Sequence, residues 1–329
     1  MPHRLGHAPR FTWRQPFLRR PASRLRAVVV AAFCIVVAMT TRPGADGAPA
    51  TPWIVAHRGA SAYAPENTLS AFVLAAEQGA TFVEFDLQRT KDGALVLLHD
   101  LTLERTTDVE DVFPDRATPV VVEGQTRRQW PLADFTLAEV RRLDAGRWFD
   151  VRFAGTRVPT LAEAIAALRG RSGLFIELKA PDRYPGIEAA LLEQLRAAKL
   201  DAPWADPRTP VLLQSFTVSS LQILTRDLRT TLPVHLLFGP ADAARWTSDL
   251  GLTDARTFAT GLSPDKRVLR ADPTLTARAR ARGMPVTPYT FRAAAVGAYA
   301  DVAAEMREAI AQGAAGVITD NPDQAPPRR

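Results

Sequence analysis

Cysteine is almost missing from this sequence of 329 residues, which contains only one, Cys34. That residue lies in an apolar run at positions 27–39, and no other cysteine follows it. The remainder of the chain can therefore form no internal disulfide and cannot use cysteine as a nucleophile or a metal ligand. Any chemistry in that part has to rest on carboxylates, imidazoles, amines and hydroxyls.

A basic surface is also missing, although the formal net charge of the whole chain is +6. Residues 1–50 hold eight of the 41 basic side chains and one of the 35 acidic ones, which leaves 33 basic and 34 acidic side chains for the rest. No cluster of lysine and arginine with interleaved aromatic residues occurs in that nearly neutral part. We therefore predict no nucleic-acid partner.

The first 50 residues have the pattern of a secretory signal peptide. An arginine-rich segment ends at Arg26, the apolar run 27–39 follows, and an Ala-Pro-Ala sequence ends at Ala50. The apolar run is too short to span a bilayer comfortably, so we predict no stable membrane span in the mature chain. Export to the periplasm or the outside, with cleavage near Ala50, is the prediction, and a single uncleaved anchor is the alternative.

Apolar strands alternate with amphipathic helices between residues 51 and 323, and residues 324–329 are predicted to be a disordered tail. The predicted strands are 53–57, 81–87, 173–179, 210–216, 233–238, 257–262, 285–290 and 316–320. This alternation indicates a parallel α/β fold, and eight strands in about 270 residues fit a (β/α)8 barrel of the TIM type. Residues from about 101 to 170 break the pattern and are predicted to be an insertion between barrel strands two and three.

The sequence VEFDLQRTKDGALVLLHD at positions 83–100 predicts a hairpin. The turn TKDG at 90–93 has only four residues, whereas a parallel crossover needs a dozen or more. The run 94–98 is therefore expected to return antiparallel to residues 82–88. This return would bring His99 back to the level of Glu84 and Asp86.

Acidic side chains occupy alternate positions near the ends of two predicted strands. Glu84 and Asp86 share one face because strand side chains alternate, and Glu177 and Lys179 repeat the pattern. Three inward carboxylates require neutralisation, and a hard, oxygen-liganded ion such as Ca²⁺ or Mg²⁺ suits them. A structural ion-pair network with Lys179 and Arg58 is the alternative.

Three histidines follow the predicted signal peptide. His57 ends the first predicted strand and His99 ends the returning hairpin arm, so both are expected at the barrel mouth, where they suit acid–base chemistry. His235 lies within a predicted strand and is expected to be a core residue. Arg58 and Lys179 are cations near strand ends and suit an anionic, phosphate-like group.

Taken together and in order, these motifs resemble the glycerophosphodiester phosphodiesterase family, within the group of phosphatidylinositol-phospholipase-C-like barrels. The motifs are HRG at 57–59, PENT at 65–68, E-x-D at 84–86, HD at 99–100 and E-x-K at 177–179, with LLQSF, PYTFR and GVITDNP further on. The resemblance covers nearly all of residues 53–323 and is closest to the secreted, periplasmic-type branch. It implies metal-dependent hydrolysis of glycerophosphodiesters, such as glycerophosphocholine or glycerophosphoethanolamine, to sn-glycerol 3-phosphate and an alcohol.

The resemblance also implies a role for each matching residue. The metal ligands correspond to Glu84, Asp86 and Glu177, and the metal would be Ca²⁺ or Mg²⁺. The two acid–base histidines correspond to His57 and His99. Positions that bind phosphate or lie close to the substrate correspond to Arg58, Lys179, Glu66, Asn67, Gln214 and Tyr289.

Three other interpretations stay open at this point. Asn67 and Thr68 also fit the N-cap of a predicted helix at 68–78. Phospholipase or sphingomyelinase-D-like activity on intact lipids would use apolar side chains of the insertion, for which Trp130, Trp148 and Phe149 are the candidates. A non-catalytic surface binding protein on the same scaffold is the third.

Overall fold

The structure, a computed structural model, describes residues 51–203 and 205–326, so the predicted signal peptide lies outside the described residues. The described part contains ten strands: β1 Trp53–Ala56, β2 Phe82–Arg89, β3 Leu95–Leu97, β4 Thr118–Val122, β5 Gln125–Gln129, β6 Gly173–Leu178, β7 Val211–Ser215, β8 Val234–Phe238, β9 Gly261–Pro264 and β10 Gly316–Thr319. Its helices are α1 Leu69–Glu77, α2 Val109–Val112, α3 Leu137–Val140, α4 Leu161–Leu168, α5 Ile187–Ala197, α6 Val218–Gln222, α7 Ala243–Trp246, α8 Asp249–Ala255, α9 Lys266–Ala271, α10 Leu275–Arg280 and α11 Val302–Ala311. A π-helical turn at Ile223–Asp227 continues α6.

Seven strands form a curled parallel sheet in the order β10-β1-β2-β6-β7-β8-β9, and β3 pairs antiparallel with β2. The α/β barrel and the hairpin predicted from the sequence are thereby confirmed. Leu97 lies opposite Leu87, and the Leu98 N–H donates to the Asp86 carbonyl at 3.0 Å. The short turn therefore returns His99 to the level of the carboxylates on β2.

The predicted strand 285–290 closes the sheet without forming a regular strand. On one side the Leu262 N–H donates to the Pro285 carbonyl at 2.9 Å, and on the other the Ile318 N–H donates to the Pro288 carbonyl at 3.0 Å. The segment forms isolated parallel bridges instead of a ladder, because Pro285 and Pro288 have no N–H to donate. In the described part of the chain, the barrel therefore consists of seven regular parallel strands and one irregular segment.

Two further boundaries differ from the sequence prediction. Residues predicted as strand 257–262 begin as a turn after α8, and β9 starts only at Gly261. Gln324, which the sequence places in the tail, ends a 3-10 turn at Pro322–Gln324 and donates a hydrogen bond to the Tyr63 hydroxyl at 3.0 Å. Residues 327–329 lie outside the described residues.

The insertion between β3 and α4 has a small hydrophobic core of its own. Trp130, Leu132, Phe135 and Val140 pack there with Val96 and Leu98 of the hairpin arm. Trp130 is fully buried in this core, so it is not available as the lipid contact that the sequence allowed. The insertion also contains the hairpin β4–β5, which its largely polar sequence did not predict.

The barrel interior has an apolar layer at its N-terminal end. Val55, Phe82, Phe175, Leu212 and Ile318 form this layer, and Glu84 and Glu177 lie two residues further along β2 and β6. The apolar layer closes the bottom of the barrel, so polar chemistry is confined to the C-terminal mouth, as in other barrels of this type.

His235 lies beside the apolar layer, as the sequence predicted for a core histidine. Its ring packs edge-on against Phe175 at 5.2 Å between ring centroids, and its Nδ1 lies 3.2 Å from the Ser263 hydroxyl. A Cβ on Gly261 would lie 2.3 Å from His235 Nε2, so a glycine is needed opposite this ring. Burial lowers the pKa of His235 to about 3.

We expect His235 to make the folded protein acid-sensitive. The unfolded chain binds a proton near pH 6.5 and the folded chain does not, so stability is fully present above pH 6.5 and falls as the pH drops from there towards 3. Between pH 7 and pH 5 this difference amounts to about 2 kcal/mol. Urea unfolding at the two pH values should show this loss reduced in His235→Gln, and an equal loss in both proteins would contradict it.

Candidate active site

The strand register brings the three predicted acidic residues together inside the barrel. Asp86 lies opposite Glu177 in the β2–β6 pairing, and Glu177 lies opposite Gln214 in the β6–β7 pairing. Carboxylate oxygens of Glu84, Asp86 and Glu177 lie within 4.8 Å of one another, and all three residues are buried. We call these three residues the acidic triad.

Two cations lie against the acidic triad. Lys179 Nζ is 2.7 Å from Glu177 Oε1 and 3.5 Å from Asp86 Oδ1. Arg58 Nε is 3.2 Å from Asp86 Oδ2, and the Arg58 backbone N–H donates to Glu84 Oε2 at 2.8 Å. Arg58 follows β1 in the left-handed region at φ 54°, which a residue other than glycine seldom adopts. The pairs proposed for a structural network are therefore present, but they supply two positive charges for three carboxylates.

The pKa values of the acidic triad follow from this imbalance. Burial and the neighbouring charges of Asp86 and Glu177 raise the pKa of Glu84 well above its usual value. Burial raises the pKa of Glu177 to about 7, against the opposing effect of Lys179. Burial also disfavours the charged form of Asp86, but Lys179 and Arg58 outweigh it and lower the pKa of Asp86.

The donor set fits a hard divalent cation. Three carboxylates whose oxygens lie within 4.8 Å of one another are the kind of ligands that Ca²⁺ and Mg²⁺ favour, and the described residues of the site offer no thiol. Beside them the Gln214 amide donates to Glu84 Oε1 at 3.4 Å, while Gln214 Oε1 is buried and has no hydrogen-bond partner in the described part of the chain. The acidic triad can therefore hold a metal ion, which would supply the missing positive charge.

Asn67 holds Asp86 in place from the loop before α1. Its side-chain amide donates to Asp86 Oδ2 at 2.8 Å, and its Oδ1 accepts the Asp86 backbone N–H at 3.1 Å. The N-cap of α1 is Thr68, whose hydroxyl accepts the Ala71 N–H at 3.3 Å. Of the two residues that could have capped this helix, one does so and the other contacts the acidic triad.

His57 follows β1 and is oriented from the end of β10. Its Nδ1–H donates to Asp320 Oδ1 at 2.6 Å, and Asp320 Oδ2 is 2.9 Å from Arg292 Nε. With Nδ1 engaged, Nε2 is the nitrogen that can exchange a proton. Burial and the charge of Arg58 lower the pKa of His57, although Asp320 acts in the opposite direction.

His99, at the end of the hairpin arm, is held at Nδ1 by the same kind of partner as His57. Its Nδ1–H donates to Asp100 Oδ1 at 2.6 Å, and the other oxygen of Asp100 pairs with Arg105. Arg105 also donates to Glu66 Oε1 at 2.7 Å, and Glu66 in turn accepts from Arg58 Nη1 at 2.9 Å. Glu66 therefore links the surroundings of His99 to the arginine beside the acidic triad.

Four residues of this site had no assigned role at the sequence level: Asp100, Arg105, Arg292 and Asp320. Asp100 and Asp320 lie inside the HD and GVITDNP motifs, and Arg292 ends PYTFR. Their positions within motifs were a signal, but nothing local shows which histidine each carboxylate would contact.

Tyr289, which the resemblance placed near the substrate, lies less centrally in the site. Its hydroxyl donates to the Phe238 carbonyl at 3.2 Å, and its ring packs edge-on against Phe216.

A cavity of about 650 Å³ opens between the barrel mouth and the insertion. Its lining includes His99, Glu177 and Lys179 from the barrel side and Gln129 and Pro131 from the insertion. Volumes of this order hold small-molecule ligands.

Among the helices of residues 51–203 and 205–326, none has both the length and the apolar character needed to cross a bilayer.

Known proteins match this chain in sequence and in fold. The model of the glycerophosphoryl diester phosphodiesterase family matches residues 57–324. A glycerophosphodiester phosphodiesterase of Bacillus subtilis is 34% identical over 277 residues, which cover 82% of this chain and 83% of that protein. Another, from Caldanaerobacter subterraneus, is 32% identical and covers 82% of this chain and 94% of its own length.

Two solved structures support the same relationship. A glycerophosphodiester phosphodiesterase from Agrobacterium tumefaciens is 28% identical, with a TM-score of 0.61 over 83% of this chain and 98% of its own. A phosphodiesterase from Oleispira antarctica, solved in complex with the product sn-glycerol-3-phosphate, is 26% identical, with a TM-score of 0.66 over 83% and 95% of the two chains. With the family pattern running through the whole barrel, this chain belongs to the glycerophosphoryl diester phosphodiesterase family and is an enzyme with that activity.

Proposed function

We propose that this enzyme uses a divalent metal ion and two histidines to hydrolyse soluble glycerophosphodiesters, such as glycerophosphocholine or glycerophosphoethanolamine. The products are sn-glycerol 3-phosphate and an alcohol. The observation that carries the proposal is the pair of carboxylate-oriented histidines beside a buried acidic triad. The related phosphodiesterase that holds sn-glycerol-3-phosphate as its product supports the same product here.

Glu84, Asp86 and Glu177 would hold the ion, either Ca²⁺ or Mg²⁺. When bound, the ion supplies positive charge that stabilises the phosphodiester oxygens as charge builds on them. Arg58 and Lys179 border the same position and bind the remaining phosphate oxygens. Their fixed positions favour the transition state because no reorganisation is needed when the charge develops.

The two histidines have opposite roles in this proposal. His57 is the general base: its lowered pKa keeps the ring neutral, and its Nε2 accepts the proton of the nucleophile. The nucleophile is the neighbouring glycerol hydroxyl, which gives a cyclic phosphate that water opens, or it is water itself. His99 is the general acid and donates a proton from Nε2 to the oxygen of the leaving alcohol.

Release of sn-glycerol 3-phosphate from glycerophosphocholine, measured with defined metals, tests the proposal. We expect a chelator to abolish the release and Ca²⁺ or Mg²⁺ to restore it. Full activity in chelator would contradict metal dependence, and faster turnover of micellar lipid than of deacylated diester would favour the lipid alternative. No turnover of any diester would contradict the proposal. Export, also part of this proposal, is checked by N-terminal sequencing of the mature protein.

A further inference from the structure

The two histidines differ in the open space beside them. Of the two, only His99 lines the cavity of about 650 Å³, which we call the His99 cavity. The lining of this cavity includes Glu177 and Lys179, so it reaches the residues that are proposed to hold the metal ion and the phosphate. On the proposed function, the leaving alcohol receives its proton from His99. The alcohol therefore has to lie in the His99 cavity while its bond to phosphorus breaks.

The charges that line the His99 cavity disfavour a cationic alcohol. Both lining carboxylates are engaged: Asp100 by His99 and Arg105, and Glu177 by Lys179. Arg183, by contrast, is exposed and forms no ion pair within the described ranges. The free charge of the wall is thus positive.

The aromatic side chain of the wall does not offset this charge. Phe216 is 47% exposed in the cavity, but the Lys179 ammonium already lies 5.8 Å from its ring centroid. A quaternary ammonium is recognised by aromatic faces, which attract any nearby cation. A second cation at Phe216 would lie close to Lys179 and would be repelled.

The remaining wall suits hydroxyl groups. Thr102, Thr217 and Gln129 bring hydroxyl and amide groups to the lining, and Gln129 comes from the end of β5 in the insertion. Such groups both donate and accept hydrogen bonds, as polyol hydroxyls do. Arg183 adds several N–H donors and no acceptor.

We propose that the His99 cavity is a leaving-group subsite that favours uncharged polyol alcohols over alcohols that carry a quaternary ammonium. Arg183 determines this selectivity, because it repels a cation and donates hydrogen bonds to hydroxyls. The inference rests on the proposed function, since it assigns the side of the phosphate on which the alcohol leaves. Choline esters are substrates in this scheme, but poorer ones than glycerol or inositol esters.

The test compares kcat/KM for glycerophosphoglycerol and glycerophosphocholine in the wild type, Arg183→Gln and Arg183→Glu. We expect the wild type to prefer the glycerol ester, and we expect the ratio to fall in Arg183→Gln and by about tenfold in Arg183→Glu, because charge reversal turns repulsion into attraction. Arg171→Glu is the matched control. Arg171 is also exposed, but it precedes β6 at the opposite end of the barrel, so its variant should keep the wild-type ratio.

A wild-type preference for choline, or a ratio unchanged in Arg183→Glu, overturns the subsite. Loss of turnover for every diester would instead contradict the proposed function. In that case calorimetry with the same two diesters and the same proteins measures whether the His99 cavity still selects the glycerol ester. A tighter affinity for the glycerol ester that is lost in Arg183→Glu supports the subsite, and equal affinities overturn it.

Discussion

Replacing Glu84 by glutamine is expected to abolish stabilisation by metal while leaving the metal-free protein at least as stable as the wild type. The reason is the excess of negative charge, since Arg58 and Lys179 serve three buried carboxylates and the pKa of Glu84 is raised by burial and by Asp86 and Glu177. Glutamine keeps an oxygen that can accept the Arg58 backbone N–H. It removes one of the like charges that only a bound cation would neutralise.

Thermal unfolding with and without Ca²⁺ or Mg²⁺ measures both effects. At a metal concentration of a hundred times Kd the wild type should gain about 2.7 kcal/mol, which corresponds to a rise in Tm of roughly 5–10 °C. Glu84→Gln should show little or none of this gain. Direct calorimetric titration with the metal gives the loss of affinity independently of catalysis.

Glu305 offers a matched control in another part of the same barrel. This buried glutamate pairs with Lys266 at 2.8 Å and with Arg270 at 2.7 Å, so one carboxylate serves two cations. Glu305→Gln should destabilise the protein by about 1–3 kcal/mol and leave the metal-induced rise in Tm intact. If Glu84→Gln lowers the metal-free Tm as much as Glu305→Gln does, the acidic triad is a structural ion-pair network and not a metal site.

His57→Ala and His99→Ala should each lower kcat on natural diesters by about 10²–10⁴-fold, the usual contribution of a positioned acid or base. An activated substrate separates the two roles. A nitrophenolate leaves without protonation, so the glycerophospho-nitrophenyl ester should restore much of the activity of His99→Ala. It should not restore His57→Ala, because the nucleophile still has to lose its proton.

The comparison has a built-in control, because each histidine donates through Nδ1 to a carboxylate that an arginine also contacts. A general disturbance of the site would therefore affect the two variants alike. Equal rescue of both by the activated ester would contradict the assignment of base and acid, and rescue of His57→Ala alone would reverse it.

Much of the site was predictable because its determinants are local. Alternation along VEFDL places Glu84 and Asp86 on one face of β2 whatever the rest of the fold does. The turn between β2 and β3, residues 90–94, is too short for a crossover, so the hairpin and the return of His99 follow from chain length alone. The prolines at 285 and 288 were also visible, and they explain why the segment expected as the seventh strand forms isolated bridges.

The carboxylate partner of His57 was not predictable in the same way. Asp320 reaches His57 across 263 positions, and only the parallel pairing of β1 with β10 sets these two strand ends side by side. Arg105 likewise contacts Glu66 across 39 positions, from within the insertion. Neither contact can be inferred from the spacing of nearby residues in the sequence.

The sequence by itself determined which side chains share a face of each strand and which strand must double back, because alternation and turn length are properties of the local backbone. It also carried an ordered series of motifs that already resembled the family. Only the tertiary structure decided which residue stands beside each of these side chains, and where the open space lies. Register and barrel closure depend on the packing of distant segments. That packing placed the large cavity beside His99 and put Arg183, which forms no ion pair within residues 51–203 and 205–326, in its wall.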